Sequence, residues 1–377
     1  MHRTEQTVVS LRFKSLLVDR PHPYGYRELV STVLSSSTSA EDYITVVNEF
    51  VLLLIAGRRV IVWNWLTGKC HARIDTVMPG AITEASPLQR TAFMAFRQVG
   101  NTPKLEVYTF SAKEPTSDEP SPILRAVYLL PALQDGVEMV MQFRCNPPPF
   151  QYSHLVQPDM SSFPIDPPCY LRRPFQIQET SRTLVLGLNV RTEYDTEDVV
   201  IFAPLQTFTS TNLDPEAPQG EPQVVPASEW MHGSHVFGNL PLSDQWIYGT
   251  RFATMTTESS GQHTLCIFDF NPAITGYLKH QQERNRSQDQ LREPGAQQSV
   301  EDQDIIEWTE GNAVVVLALR GTEVTDEVFF KEPLRGGVPV LMSISEEEID
   351  EQTLTLVIDG ERLLLARVGS SGSMQGQ

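Results

Sequence analysis

Between residues 43 and 75 the chain reads YITVV, NEFVLLLIA, RRVIVWNW and HARID, four short runs rich in β-branched, aliphatic and aromatic residues. Only one or two residues able to turn separate one run from the next, with Gly57 and the Thr67-Gly68 pair as the clearest connections. That spacing is too tight for helices and demands short antiparallel strands joined by hairpins. Within the third run, strand alternation is expected to send Trp63 and Trp65 to opposite faces.

The same form returns downstream. KLEVYTF (104–110) repeats the third run, and Tyr108 follows Trp63 by 45 residues. TAFMAFRQ (91–98) precedes it and ILRAVYLLPAL (123–133) follows. GVEMVMQFRC (136–145), RTLVLGLNV (182–190) and DVVIFAPL (198–205) continue the series, and WIYGTRFATMTT (246–257) with HTLCIFDFNP (263–272) forms a hairpin about Gly261. Strands are expected again within 304–319, 327–334, 338–344 and 353–368, the last divided by an Asp359-Gly360 turn. Groups of four strands at intervals of about 40 to 50 residues are the pattern of propeller blades. The fold class read from this pattern is all-β, a single divergent β-propeller of about six or seven four-stranded blades with long polar loops.

The ring is expected to occupy residues 41–369, with loop insertions near 146–174, 206–233 and 279–304. Proline-rich composition marks the first, Pro and Gly the second, and an almost wholly polar run the third, for which a solvated helix through 276–293 is the alternative. Residues 1–40 are less defined: SLRFKSLLV reads as a ring-closing strand or a short helix, and YRELVSTVL as about two helical turns. Residues 370–377 read as a disordered tail.

The formal net charge of −18 opposes nucleic acid and anionic membrane as partners, because both recruit Lys and Arg. The densest acidic run, Glu346, Glu347, Glu348, Asp350 and Glu351, reads as a solvated face, with a basic partner as the sharper alternative. Cys70, Cys145, Cys169 and Cys266 form no CxxC pair, and the N-terminal segment lacks a signal-peptide core. A soluble protein of a reduced intracellular compartment, cytoplasmic or nuclear, is expected.

Three stretches carry a likeness to a known group: VLLLIAGRRVIVWNWLTGK (51–69), KLEVYTF with the later LLPAL (129–133), and WIYGTRF (246–252) with LCIFDFNP (265–272). In order and form they resemble basidiomycete F-box proteins, whose region after the F-box is a divergent WD-repeat-like propeller, over roughly residues 40 to 275. The resemblance implies a substrate-recognition module of a ubiquitin-ligase adaptor. Nothing in residues 1–45 has the Leu-Pro-x-Glu form that opens an F-box, so a contact with the ligase linker subunit follows only if an F-box is encoded upstream. Asn64 stands where a strict WD dipeptide has Asp, and no upstream Gly-His pair serves this blade, so an incomplete polar network and degenerate packing are implied.

Chemistry finds little footing. No Gly-rich phosphate loop and no G-x-S-x-G elbow is present, and no cofactor is expected. His232 and His235 have metal-like spacing but no accompanying ligand, and are expected as surface histidines. Asp75, Asp195, Asp269 and Asp359 lie near strand ends, where a glycosidase-like propeller would hold its acids, yet Asp at turns serves the backbone first. Trp63, Trp65, Tyr108, Phe268 and Phe270 read as an aromatic stripe between blades, and Trp230 as either a loop anchor for a partner or a side chain tucked under its own loop. The sequence therefore points to a non-enzymatic protein-interaction platform with a protein partner, and no catalytic, cofactor or metal residues are assigned.

Overall fold

The computed structural model describes residues 6–11, 29–35, 43–144, 182–280, 305–345, 353–358 and 363–367, with short gaps inside these ranges. The chain is all-β, built mainly of antiparallel sheets, and it divides into two compact units. The first comprises Met1–Asp135, Pro148–Glu179 and Phe208–Ala227, and the second Gly136–Pro147, Thr180–Thr207 and Ser228–Gln377.

In the first unit, β1 (Gln6–Leu11) pairs antiparallel with β2 (Leu29–Ser35). The helix expected over YRELVSTVL is thus a strand from Leu29 on. Val30, Thr32 and Val33 are stiff at χ1 and suit a ladder, in which Val33 lies opposite Val8. Next come β3 (Tyr43–Val47), β4 (Phe50–Ile55), β5 (Arg59–Asn64) and β6 (Lys69–Asp75), a four-stranded meander in chain order.

Its central strands are buried on both sides. Phe50, Leu52, Leu54, Val60, Val62 and Ala72 share one face and core, while Leu53, Ile55, Ile61 and Trp63 form another with Trp65 packed on it. Trp63 and Trp65 therefore share a face rather than opposing one another, as positions two apart on a pleated strand must. The turn after them is organised by Asn64, whose side-chain oxygen accepts the amides of Leu66 (3.0 Å) and Thr67 (3.2 Å), while Gly68 takes φ of 73°.

The second sheet holds β7 (Ile82–Gln89), β8 (Ala92–Val99), β9 (Thr102–Thr109) and β10 (Ile123–Leu129), again in chain order. Ile82, Ala85, Phe93, Ala95, Tyr108 and Phe110 from it join the Phe50 core of the first sheet. The Phe93 and Tyr108 rings stack at 5.3 Å, and Phe50 meets Phe110 edge-on at 5.1 Å, arrangements worth about 0.5–1.5 kcal/mol each beyond the area they bury. A fifth strand, β14 (Gln223–Val225), adds to β10 in parallel. The 206–233 stretch is thus not a plain loop: besides β14 it holds all but the first residue of α1 (Leu205–Thr209) and the whole of α2 (Ala227–Trp230).

In the second unit, β11 (Glu138–Arg144), β12 (Thr183–Arg191), β13 (Thr196–Pro204) and β15 (His235–Gly238) form an antiparallel sheet in that order. Along β11, Met139, Met141 and Phe143 are buried, while Glu138, Val140 and Gln142 between them are exposed. A six-stranded sheet follows, made of β16 (Trp246–Tyr248), β17 (Arg251–Thr257), β18 (His263–Asp269), β19 (Ile305–Glu310), β20 (Ala313–Ala318) and β23 (Val340–Ser345). The hairpin expected about Gly261 is present as β17 and β18.

Chain order breaks in this sheet, because β23 lies between β18 and β20 and pairs antiparallel with both. The pairing sets Met342 against Phe268 and Ile344 against Cys266, which extends a core of Val185, Val200, Phe202, Leu240, Ile247, Phe252, Cys266, Phe268 and Val340. Burial of these side chains favours the distant partner over a consecutive one. Two short pairs complete the unit: β21 (Glu323–Val324) with β22 (Leu334–Arg335), and β24 (Thr353–Ile358) with β25 (Leu363–Arg367), which flank the Asp359-Gly360 pair in sequence. Residues 146–174, 281–304, 346–351 and 370–377, with Cys145, Cys169 and Asp359, lie outside the described residues.

Candidate interaction surface

Trp230 closes α2 and is 4% exposed, so of its two readings the tucked one holds and it offers no anchor. The neighbouring histidines part company. His232 is exposed on a 3-10 turn (Met231–Gly233), whereas His235 opens β15 at 1% exposure, packed on the rings of Phe270 (5.3 Å) and Phe237 (6.1 Å). The expectation of two surface histidines is thus corrected for His235. His235 and Val236 are buried and Phe237 and Gly238 half-buried along this short strand, which the polar residues before it mask in the sequence. Among the described residues no cluster of three or more His, Cys, Asp and Glu could hold a metal ion.

The strand-end acids serve the backbone and its neighbours. Asp75 is ion-paired to Arg59 and Arg73. Asp195 accepts the amide of Thr196 at 2.9 Å. Asp269 accepts from the Thr250 hydroxyl (3.2 Å), the Arg251 guanidinium (3.1 Å) and the Asn271 amide (2.9 Å). Each carboxylate fixes a turn or a strand end. The aromatic residues also divide: Tyr108 belongs to the core between the first two sheets, Phe268 to the second unit's core with Phe270 packed on it, and Trp63 with Trp65 to the opposite face of the first sheet.

A buried charge network, unmarked by any sequence motif, lies on the second sheet. Lys104, Glu106 and Tyr108 alternate along one face of β9, and Arg97 is registered opposite Lys104 on β8. Glu106, 4% exposed, accepts from Arg97 at 2.9 Å, from Lys104 at 2.8 Å and from the Tyr108 hydroxyl at 2.6 Å. Arg97 also donates to the Gly80 carbonyl at 2.9 Å. Burial pushes the Glu106 carboxyl up, but the hydrogen bonds of Lys104 and Tyr108 and the two cationic charges outweigh it and leave it below the usual value. Burial, with Glu106 alongside, raises the Tyr108 phenol. Both shifts hold the network in one protonation state near neutrality, which suits a structural strut rather than proton transfer.

The surface feature with the most construction behind it is the segment from Phe208 to Pro226. Phe208 is fully buried and meets Tyr128 of β10 edge-on at 5.0 Å. Arg125 of β10 donates to the carbonyls of Asp214 (2.9 Å), Ala217 (2.8 Å) and Pro218 (3.0 Å), and its Nε to the Thr109 hydroxyl (2.9 Å). Glu216 accepts from Ser111 at 3.0 Å and Lys113 at 2.7 Å, and the Lys113 hydrogen bond holds its carboxyl below the ordinary value. β14 closes the segment, between Pro222 and Pro226. Held in this way, Asp214, Glu216, Pro218, Gln219, Gly220 and Glu221 are all exposed, and so is Val224 at 60%.

Cys266 is buried and Cys70 half-buried, neither in a disulfide; Cys70 donates to the Ala72 carbonyl, and burial pushes its thiol up to about 11, so it is inert near neutrality. Among the described residues no helix is long and apolar enough to cross a membrane.

No family model matches the chain, and no curated protein matches its sequence. Among solved structures, the crystal structure of the WD40 domain of SCAP from fission yeast aligns with a TM-score of 0.27 and 7% identity, covering 92% of this chain and 82% of that one. The all-β assignment rests on this chain's own strand order and register.

Proposed function

We propose that the chain is a protein-interaction platform, its sheets the blades of a single divergent propeller, and that it acts without catalysis. The observation that carries this reading is the 208–226 segment: an acidic, proline-containing stretch fixed by one arginine, one aromatic pair and one added strand, with its outer residues left in water. A loop ordered before binding gives up little conformational freedom when a partner arrives. Its acidic character, like the net charge of −18, favours a protein partner with a basic surface over nucleic acid.

The finer proposal is that the platform is the substrate-recognition half of an F-box-type ubiquitin-ligase adaptor in the cytoplasm or nucleus. Its support is the likeness carried by VLLLIAGRRVIVWNWLTGK, KLEVYTF and LCIFDFNP. The test is co-purification of the tagged protein expressed from its full transcript, beside an Arg125→Ala variant, with quantitative mass spectrometry. Partners recovered with the wild type and depleted by the variant are expected, and equal recovery would move the binding surface away from 208–226. Recovery of a cullin or linker subunit is expected of the adaptor, and their absence beside other partners would leave a scaffold without a ligase.

A further inference from the structure

β12 and β13 form the longest uninterrupted ladder among the described residues, pairing without a register shift from Thr183 opposite Pro204 to Arg191 opposite Thr196. Both strands are anchored in the interior by Leu184, Leu186, Leu188 and Val190 on one and Val199 to Ala203 on the other. Their connection, Thr192 to Asp195, therefore stands on a rigid base.

The connection is itself tied down. The Thr192 amide donates to the Asp195 carbonyl at 2.8 Å, and the Thr192 hydroxyl accepts the amides of Tyr194 (3.2 Å) and Asp195 (3.0 Å). The Asp195 carboxylate then accepts the Thr196 amide. These bonds account for Thr192, for Asp195 and for the Tyr194 amide, and they leave the Tyr194 ring outside the turn. Tyr194 is 89% exposed, more than any other large hydrophobic side chain among the described residues. Turn positions ordinarily take small polar residues for backbone reasons, and a tyrosine there adds nothing to the turn.

The surroundings carry one sign of charge. Glu193 and Asp195 flank the ring and are exposed, and Glu197 follows. The cation at the base, Arg191, is engaged by Glu138 through two hydrogen bonds of 2.7 and 3.0 Å. Tyrosine is enriched at binding hot spots because it offers a large contact area with a polar tip, and it has only two χ angles to immobilise.

We propose that Tyr194 is a docking anchor for a protein partner that presents an aromatic-sized recess ringed by Lys or Arg. This inference rests on the platform reading and adds a specific contact on the second unit, separate from the 208–226 segment. The ring supplies the buried contact, the phenol a hydrogen bond at the recess floor, and Glu193 with Asp195 the complementary charge at the rim.

The test uses the full chain and a randomised peptide library displayed on phage. Peptides selected on the wild type are expected to be rich in Lys and Arg, to lose at least tenfold in affinity for Tyr194→Ala, and to lose severalfold for Glu193→Lys. Tyr194→Phe should retain most of the binding, and all three variants should keep the wild-type melting midpoint, because the replaced side chains lie outside the core. Peptides that bind wild type and Tyr194→Ala equally would overturn the anchor and leave the platform reading standing. A selection that yields no binding peptide would count against both.

Discussion

At the residue scale, Glu106 shows how a charge can sit inside a sheet without belonging to an active site. Its carboxylate has three donors at 2.6 to 2.9 Å, which offsets the cost of removing it from water. Replacing it by Gln leaves Arg97 and Lys104 without their counter-charge, at an expected cost of about 2–3 kcal/mol near pH 7. Because the folded carboxyl lies below its unfolded value of about 4.3, its stabilising contribution is complete above that value. It is lost as pH falls through the folded value, where the carboxylate takes up its proton. Urea midpoints of wild type and Glu106→Gln should therefore differ at pH 7 and converge in acid; a constant gap down to acid pH would contradict the role given to the charge. The network was not legible in the sequence, where KLEVY reads only as an alternating strand and one of the three donors, Arg97, comes from the preceding strand.

At the scale of elements, the legible parts were those set by local pattern. The meander from β3 to β6 follows from four closely spaced apolar runs, and β24 with β25 from a turn-forming Asp-Gly pair. What escaped were pairings decided by distant partners. β14 has three residues between prolines, too short to announce a strand, and it exists because β10 offers an edge and Arg125 holds the approach. β23 reads as one more strand of a series, and only the Cys266 and Phe268 side of β18 determines its place. His235 looked like a loop residue because MHGS precedes it, although it opens a strand and its ring packs on Phe237 and Phe270. Arg125→Ala is expected to raise amide hydrogen exchange about tenfold or more across 213–225, with β8 and β9 unchanged, since the loss is of local fastening. Equal exchange in the wild type and the variant would mean that β14 and the Phe208 contact suffice alone.

At the scale of the whole molecule, the described residues pass between the two units three times, after Asp135, Thr207 and Ala227. Neither unit is a continuous stretch, so each waits on segments far away in sequence, and slow folding follows from that separation. Phe93 in one core and Phe202 in the other are each about 1% exposed, and truncation of either to Ala is expected to cost about 3–5 kcal/mol. With so many shared crossings, both variants should lower one common transition in thermal unfolding followed by circular dichroism. Two separate transitions, each moved by one variant only, would show that the units melt independently.

The parallel strand at Gln223–Val225 also sets a clock on synthesis. β10 is complete at Leu129, but the strand that covers its outer edge begins 94 residues later. At roughly 5–20 residues per second, the nascent chain spends about 5 to 20 s with that edge open to any other extended segment nearby. A ribosome that pauses, or a message that ends, between those two points releases a sheet ready to pair with its neighbours. Among the described pairings this wait, from Leu129 to Gln223, is the longest, and it is the interval in which a chaperone at the exit tunnel has an edge to shield.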